Sequence, residues 1–157
     1  MKSMIFAASF SLAACLAPMA LAADAQLMAP IHQFIDDFNK GDVKGAIAAH
    51  LANASIIDEV PPHLWQGAGS VQAWAKSLEA ASKAAGQSDE SVTLGEPTRA
   101  DINGRRGYVV IPATFAYKEK GAAMKEVAQM TYALKKTADG WKIAGWTWVG
   151  TTPVPAK

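Results

Sequence analysis

The hydrophobic pattern of this chain changes period once, at Gly86, and that change limits the folds open to it. Before Gly86, apolar residues recur three and four apart, as on one face of a helix. After it they occupy extended stretches separated by turn dipeptides. Helices gathered at one end and hairpins at the other predict an α+β architecture, with helices on one face of a curved sheet.

In the first half, Leu27, Ile31, Phe34, Ile35 and Phe38 share a face. They predict an amphipathic helix over 27–38 with Pro30 in its first turn. Gly41 stops that helix, and Asp42 is placed to cap a short second one carrying Val43, Ala46, Ile47 and Leu51. Ser55-Ile56-Ile57 has strand character, ended by Pro61-Pro62. Ser70 is placed to cap a third helix with Val71, Trp74, Leu78, Ala81 and Ala85, closed by Gly86. The second half predicts strands over 91–99, 106–118, 125–137 and 141–150. Asn103-Gly104, Lys120-Gly121 and Asp139-Gly140 mark turns between them.

Residues 1–22 read as a signal peptide: Lys2, then an uncharged apolar run, then Ala20-Leu21-Ala22 as the cleavage site. This implies a periplasmic or secreted protein, with no membrane attachment after cleavage. Leu12-Ala13-Ala14-Cys15 offers an alternative lipoprotein cut, which would leave an apolar stretch at the mature end. Cleavage after Ala22 removes the single cysteine, so no disulfide or thiol chemistry is expected. The domain then spans 23–152, and 153–157, with Pro153 and Pro155, reads as a flexible tail.

The whole chain has 15 basic and 14 acidic residues, so losing Lys2 leaves 14 of each. A neutral chain has no field to gather a polyanion, and no nucleic-acid partner is expected. The two faces of the 108–117 stretch are both largely apolar, and the last strand places Ile143 and Val149 opposite Trp146 and Trp148. A sheet apolar on both faces needs two covers, which predicts a homodimer packed through the sheet.

Over nearly the whole mature chain, and best over 31–71, the sequence resembles the NTF2-like superfamily, in particular its SnoaL-like and ketosteroid-isomerase-like branch. The resemblance rests on Phe34-Ile35-Asp36-Asp37-Phe38-Asn39-Lys40-Gly41-Asp42, on Ala54-Ser55-Ile56-Ile57-Asp58 and on Trp65-Gln66-Gly67 before a helix. Asp139-Gly140-Trp141-Lys142-Ile143 is similar to the hairpin entering the family's last strand. It implies a cone: three N-terminal helices packed on a strongly curved antiparallel sheet around a cavity.

The isomerase branch uses an Asp base with a Tyr and a protonated Asp as oxyanion donors, a system that serves as a general example of pKa tuning. The resemblance places Asp58 at the base position and Phe34 at the Tyr position, where a phenyl ring cannot donate. No Asp stands near 130–132, leaving Gln129, Thr131, Tyr132 and the loop residue His63 as candidate donors. The Asp-Arg-Asp set of the family's epoxide hydrolases is not supported, because Arg105 and Arg106 fall at a hairpin turn.

Asp58 and Glu59 are adjacent on an extended segment and are expected on opposite faces. Asp58 reads either as a cavity base or as a solvated strand-end carboxylate. His32, His50 and His63 lack metal-ligand spacing, and neither a metal nor a cofactor is expected. Phe34, Trp65, Trp74, Tyr117, Trp146 and Trp148 are candidate walls for a flat, small apolar ligand. Two functions follow: a cofactor-independent isomerase, cyclase or dehydratase with Asp58 as base, or a non-catalytic binding or assembly module.

Overall fold

A computed structural model describes residues 17–156, with side chains from Ala25 onward. The lipoprotein box and most of the expected signal segment lie outside the described residues. Helix α1 (Ala17–Asn39) leads into α2 (Val43–Ala48), strand β1 (His50–Ile57), the short β2 (Leu64–Trp65) and α3 (Ser70–Ala85). The strands β3 (Gln87–Leu94), β4 (Arg99–Asn103), β5 (Arg106–Glu119), β6 (Ala122–Thr137), β7 (Gly140–Gly150) and β8 (Val154–Pro155) follow.

The helical face expected on α1 is the face that packs. Leu27, Ile31, Phe34 and Ile35 are buried and Phe38 is half-buried. Pro30, however, lies inside the helix rather than in its first turn. An interior proline removes one backbone donor at a cost of roughly 3 kcal/mol. Buried apolar residues on both sides of it, Met28 and Ile31, offset that loss. Gly41 takes the left-handed conformation (φ 69°), and Asp42 caps α2 by accepting from the Gly45 amide at 3.0 Å. The cap of α3 differs from expectation. Gly69 is the N-cap, while Ser70 is buried and its hydroxyl donates to the Ala54 carbonyl at 2.6 Å, tying α3 to β1. Asn39 makes a similar tie: its amide donates to the Val92 carbonyl (2.9 Å) and accepts from the Val92 amide (2.7 Å).

The eight strands form one curled, unclosed sheet in the order β2-β1-β7-β6-β5-β3, with β4 also on β5 and β8 also on β6. The hairpin pairs are antiparallel, but β1 runs parallel to β7, so the sheet is mixed. The strand expected over 91–99 is broken at Gly95 to Pro97, and its second part becomes β4. The segment expected to hang loose is instead paired. Val154 faces Lys125, Pro155 faces Met124, and the Ala156 amide donates to the Ala123 carbonyl at 2.9 Å. Proline is tolerated there because the pairing is at an edge.

The register of β7 corrects a second expectation. Leu134 pairs with Ile143, but the preceding Ala133 pairs with Gly145, so Ala144 is an extra residue in a β-bulge. The bulge shifts the alternation by one position. Ile143, Trp146 and Trp148 therefore share the helix-covered face, opposite Tyr132 and Met130, instead of falling on opposite faces. Gly145 is required here, because a Cβ would sit 2.7 Å from the Ser55 carbonyl oxygen on β1. The outer face of the sheet still carries apolar residues, with Tyr108, Val127 and Val149 exposed.

Candidate functional site

The three helices do not fill the concave face completely. At its open end lies a cavity of about 460 Å³ counted out to the mouth. Phe34, Ile35 and Phe38 of α1 and Trp74 and Leu78 of α3 form one wall. Val92, Phe115, Met130, Trp146 and Trp148 of the sheet form the other, and the 58–60 turn forms the rim. The rings interlock: Trp74 meets Trp146 edge-on at 5.0 Å, and Phe34 lies 5.5 Å from Trp146. A larger cleft, about 1390 Å³ counted out to its mouth in the same way, runs between the α1–α2 turn, α3 and the start of β3. It is rimmed by charged side chains of both signs and by backbone, and it lacks the convergent rings of the inner cavity.

The rim departs from the sequence expectation. Adjacent carboxylates should diverge on a strand, yet Asp58 and Glu59 both line the cavity. The strand ends at Ile57, and Asp58 begins a turn by accepting from the Val60 amide at 3.0 Å. Its other oxygen accepts from the Trp74 indole at 2.9 Å. Each carboxylate oxygen of Asp58 therefore already has a neutral donor.

Behind the rim is a carboxylate that the sequence reading did not single out. Glu126 on β6 is 1% exposed, and one of its oxygens accepts from the Trp148 indole at 2.8 Å. It packs against the bare α-carbon of Gly150. Glu59 is an exposed residue whose carboxyl end is turned toward this buried acid. Burial first, then the hydrogen bond and charge of Glu126, and then Asp58, push the Glu59 carboxyl up to about 7. Glu126 did leave a signal. It is the only charged residue among the alternate positions Met124, Ala128, Met130, Tyr132 and Leu134 that face the helices.

The other candidates are dispersed. Phe34, Trp74, Trp146 and Trp148 line the cavity as expected. Trp65 is buried beside β1, and Tyr117 is buried under Phe115, its ring stacked at 4.9 Å. Gln129 is exposed and Thr131 half-exposed on the outer face of β6. Tyr132 is fully buried with its hydroxyl donating to the Met130 sulfur at 3.1 Å. His63 is exposed, with its Nδ1 3.2 Å from the Asp58 carbonyl oxygen. None of the four candidate donors lines the cavity. Phe38, Phe115 and Met130 line it without having been anticipated.

His50 supports the cavity floor rather than lining it. Its Nδ1 lies 2.7 Å from the Ala46 carbonyl, which can only accept, so Nδ1 carries the proton. Its Nε2 then accepts from the Trp146 indole at 3.0 Å, fixing that ring. Burial is the main reason its pKa falls to about 4. Among the described residues, no cluster of His, Cys, Asp and Glu could hold a metal ion. Also among them, no helix is long and apolar enough to cross a membrane.

Three helices on a curled sheet with an apolar pocket between them define the NTF2-like class of fold. No family model and no curated sequence matches the chain. Solved structures do match. A ketosteroid isomerase-like protein from Erwinia carotovora atroseptica aligns with TM-score 0.64 at 16% identity, over 82% of this chain and 95% of that one. An NTF2-like superfamily protein from Salmonella enterica aligns with TM-score 0.68 at 15% identity, over 88% and 94%. A hexachlorocyclohexane dehydrochlorinase, LinA type 2, aligns with TM-score 0.73 at 10% identity, over 88% and 91%. The chain has the NTF2-like, ketosteroid-isomerase-like α+β fold.

Proposed function

We propose that this protein binds a small, largely apolar molecule in the cavity between its helices and its sheet, and that it does so without catalysis. The observation that carries this reading is the wall itself: six aromatic rings converge on one pocket with carboxylates only at its rim. The binding reading is favoured over catalysis because no hydroxyl or amide side chain lines the cavity to stabilise a developing oxyanion. Native mass spectrometry of protein purified from its host tests it: a retained small molecule supports the reading. Absence of any mass increment, together with unchanged indole fluorescence across a panel of small apolar compounds, refutes it.

A second reading keeps Asp58 as the base of a cofactor-independent isomerase, cyclase or dehydratase. It is supported by the placement of the Asp58 carboxylate on the cavity rim, anchored by Trp74. Equal turnover of candidate ketones by wild type and Asp58→Asn removes Asp58 from any mechanism. In this proposal the protein acts outside the cytoplasm after cleavage at Ala22. It pairs with a second copy through the outer sheet face around Tyr108, Val127 and Val149. Mass analysis of the mature N-terminus tests the first point, and light scattering at micromolar concentration tests the second.

A further inference from the structure

Granting that the cavity is a binding site, its charge narrows what it can hold. The lining contains two carboxylates, Asp58 and Glu59, and no basic residue. Glu126, directly behind Trp148, adds a third acid that is almost wholly buried. The groups that face this set are neutral or acidic from every side. Asp58 takes its two hydrogen bonds from an amide and an indole, and Glu126 takes one from an indole. On β5, Tyr117 and Glu119 complete the surroundings, and the Tyr117 hydroxyl is itself pushed up by burial and by Glu119, Glu126 and Glu59. The ion pairs found among the described residues, Arg99 with Asp101 and Lys118 with Asp89, are exposed and lie elsewhere.

A buried carboxylate normally has a cation beside it. Here none of the described residues supplies one, and the Glu59 carboxyl is pushed up to about 7 beside these acids. A neutral ligand closing the mouth would cut these acids off further from water and provide no counter-charge. A cation would supply the missing charge. The walls select which cation. Phe34, Phe38, Trp74, Phe115, Trp146 and Trp148 present π systems to the pocket, and such faces attract ammonium groups while offering nothing to coordinate a metal ion.

We propose that the ligand of this cavity is a small organic ammonium ion, its charged head set at the Asp58–Glu59 rim and its methyl or methylene groups against the rings. Binding displaces a proton from Glu59, so the ligand exchanges one positive charge for another.

The test uses choline and its neutral isostere, in which carbon replaces the ammonium nitrogen, on the full folded protein. Calorimetry is run in two buffers that differ in ionisation enthalpy, at several pH values between about 6 and 8. Choline is expected to bind about tenfold more tightly than the isostere at the upper end of that range. It is also expected to release protons on binding and to gain affinity as pH rises. Glu59→Gln is expected to abolish the proton release and narrow the choline preference. Equal or tighter binding of the isostere overturns the ammonium proposal while leaving the apolar cavity reading intact. So does a choline affinity that is flat with pH. Failure of both compounds to bind overturns the proposal and counts against the cavity reading itself.

Discussion

His50 and Glu59 titrate in the same pH range with opposite consequences for stability, which makes the pair a sharp test of the site geometry. His50 is held neutral by burial, with its pKa moved from 6.5 to about 4. Between those values the unfolded chain binds a proton that the folded chain refuses, so stability is lost as pH falls through that window. At about 1.4 kcal/mol per pH unit, the full loss is about 3 kcal/mol. Glu59 is moved the other way, from 4.5 to about 7. There the folded chain binds the extra proton, so stability grows as pH falls from about 7 to 4.5. Because the side chain is partly exposed, solvent screening reduces this contribution to about 1 kcal/mol. Wild type should therefore lose only about 2 kcal/mol between pH 7 and 4.5. The assay is urea unfolding across that range for wild type, Glu59→Gln and His50→Gln. Glutamine at position 50 has a donor for the Ala46 carbonyl and an acceptor for the Trp146 indole, but it does not titrate. Glu59→Gln should steepen the acid loss, and His50→Gln should reverse it, giving a protein slightly more stable at pH 4.5 than at 7. Contributions from carboxylates distant from both sites are common to all three curves and cancel in the differences. A His50→Gln profile parallel to that of wild type would refute the assignment of a buried, neutral His50.

Three further outcomes follow from local geometry. Asn39→Ala strands both backbone groups of Val92, and chemical denaturation should show a loss of about 2 kcal/mol. Gly145→Ala sets a Cβ against the Ser55 carbonyl where β1 and β7 run parallel, and thermal unfolding should show a loss of about 1–3 kcal/mol; an unchanged melting temperature would disprove the close approach. Gly150→Ala overlaps the Glu126 carboxylate and must displace it from its indole partner. A carboxyl titration followed by NMR should then find Glu59 returning from about 7 toward 4.5.

Local signals carried most of the fold. The α1 face, the Gly41–Asp42 break, the Gly86 stop and the three turn dipeptides depend on residues close in sequence, and each appears where expected. What escaped depends on distant partners. Nothing near Ser55 announces a parallel neighbour ninety residues away, and Ser70 reads as a cap until the Ala54 carbonyl is beside it. At the site, the helix-borne rings Phe34 and Trp74 were legible from spacing. The joint placement of Asp58 and Glu59 was not, because a strand rule was applied one residue past the strand's end. Glu126 stood out as a charge in an apolar register, but only once the inward face of β6 was known.

The extra residue at Ala144 has a consequence for how this protein tolerates length changes. Deleting Ala144 would leave the composition and nearly every hydrogen-bonded neighbour available. It would merely remove the bulge: Ile143 would be followed directly by Gly145, and Trp146 and Trp148 would stay opposite Tyr132 and Met130 on the inner face. This strand can therefore lose a residue at Ala144 without exchanging its faces, whereas the loss of Thr147, two positions past the bulge, would turn Trp148 from the inside to the outside.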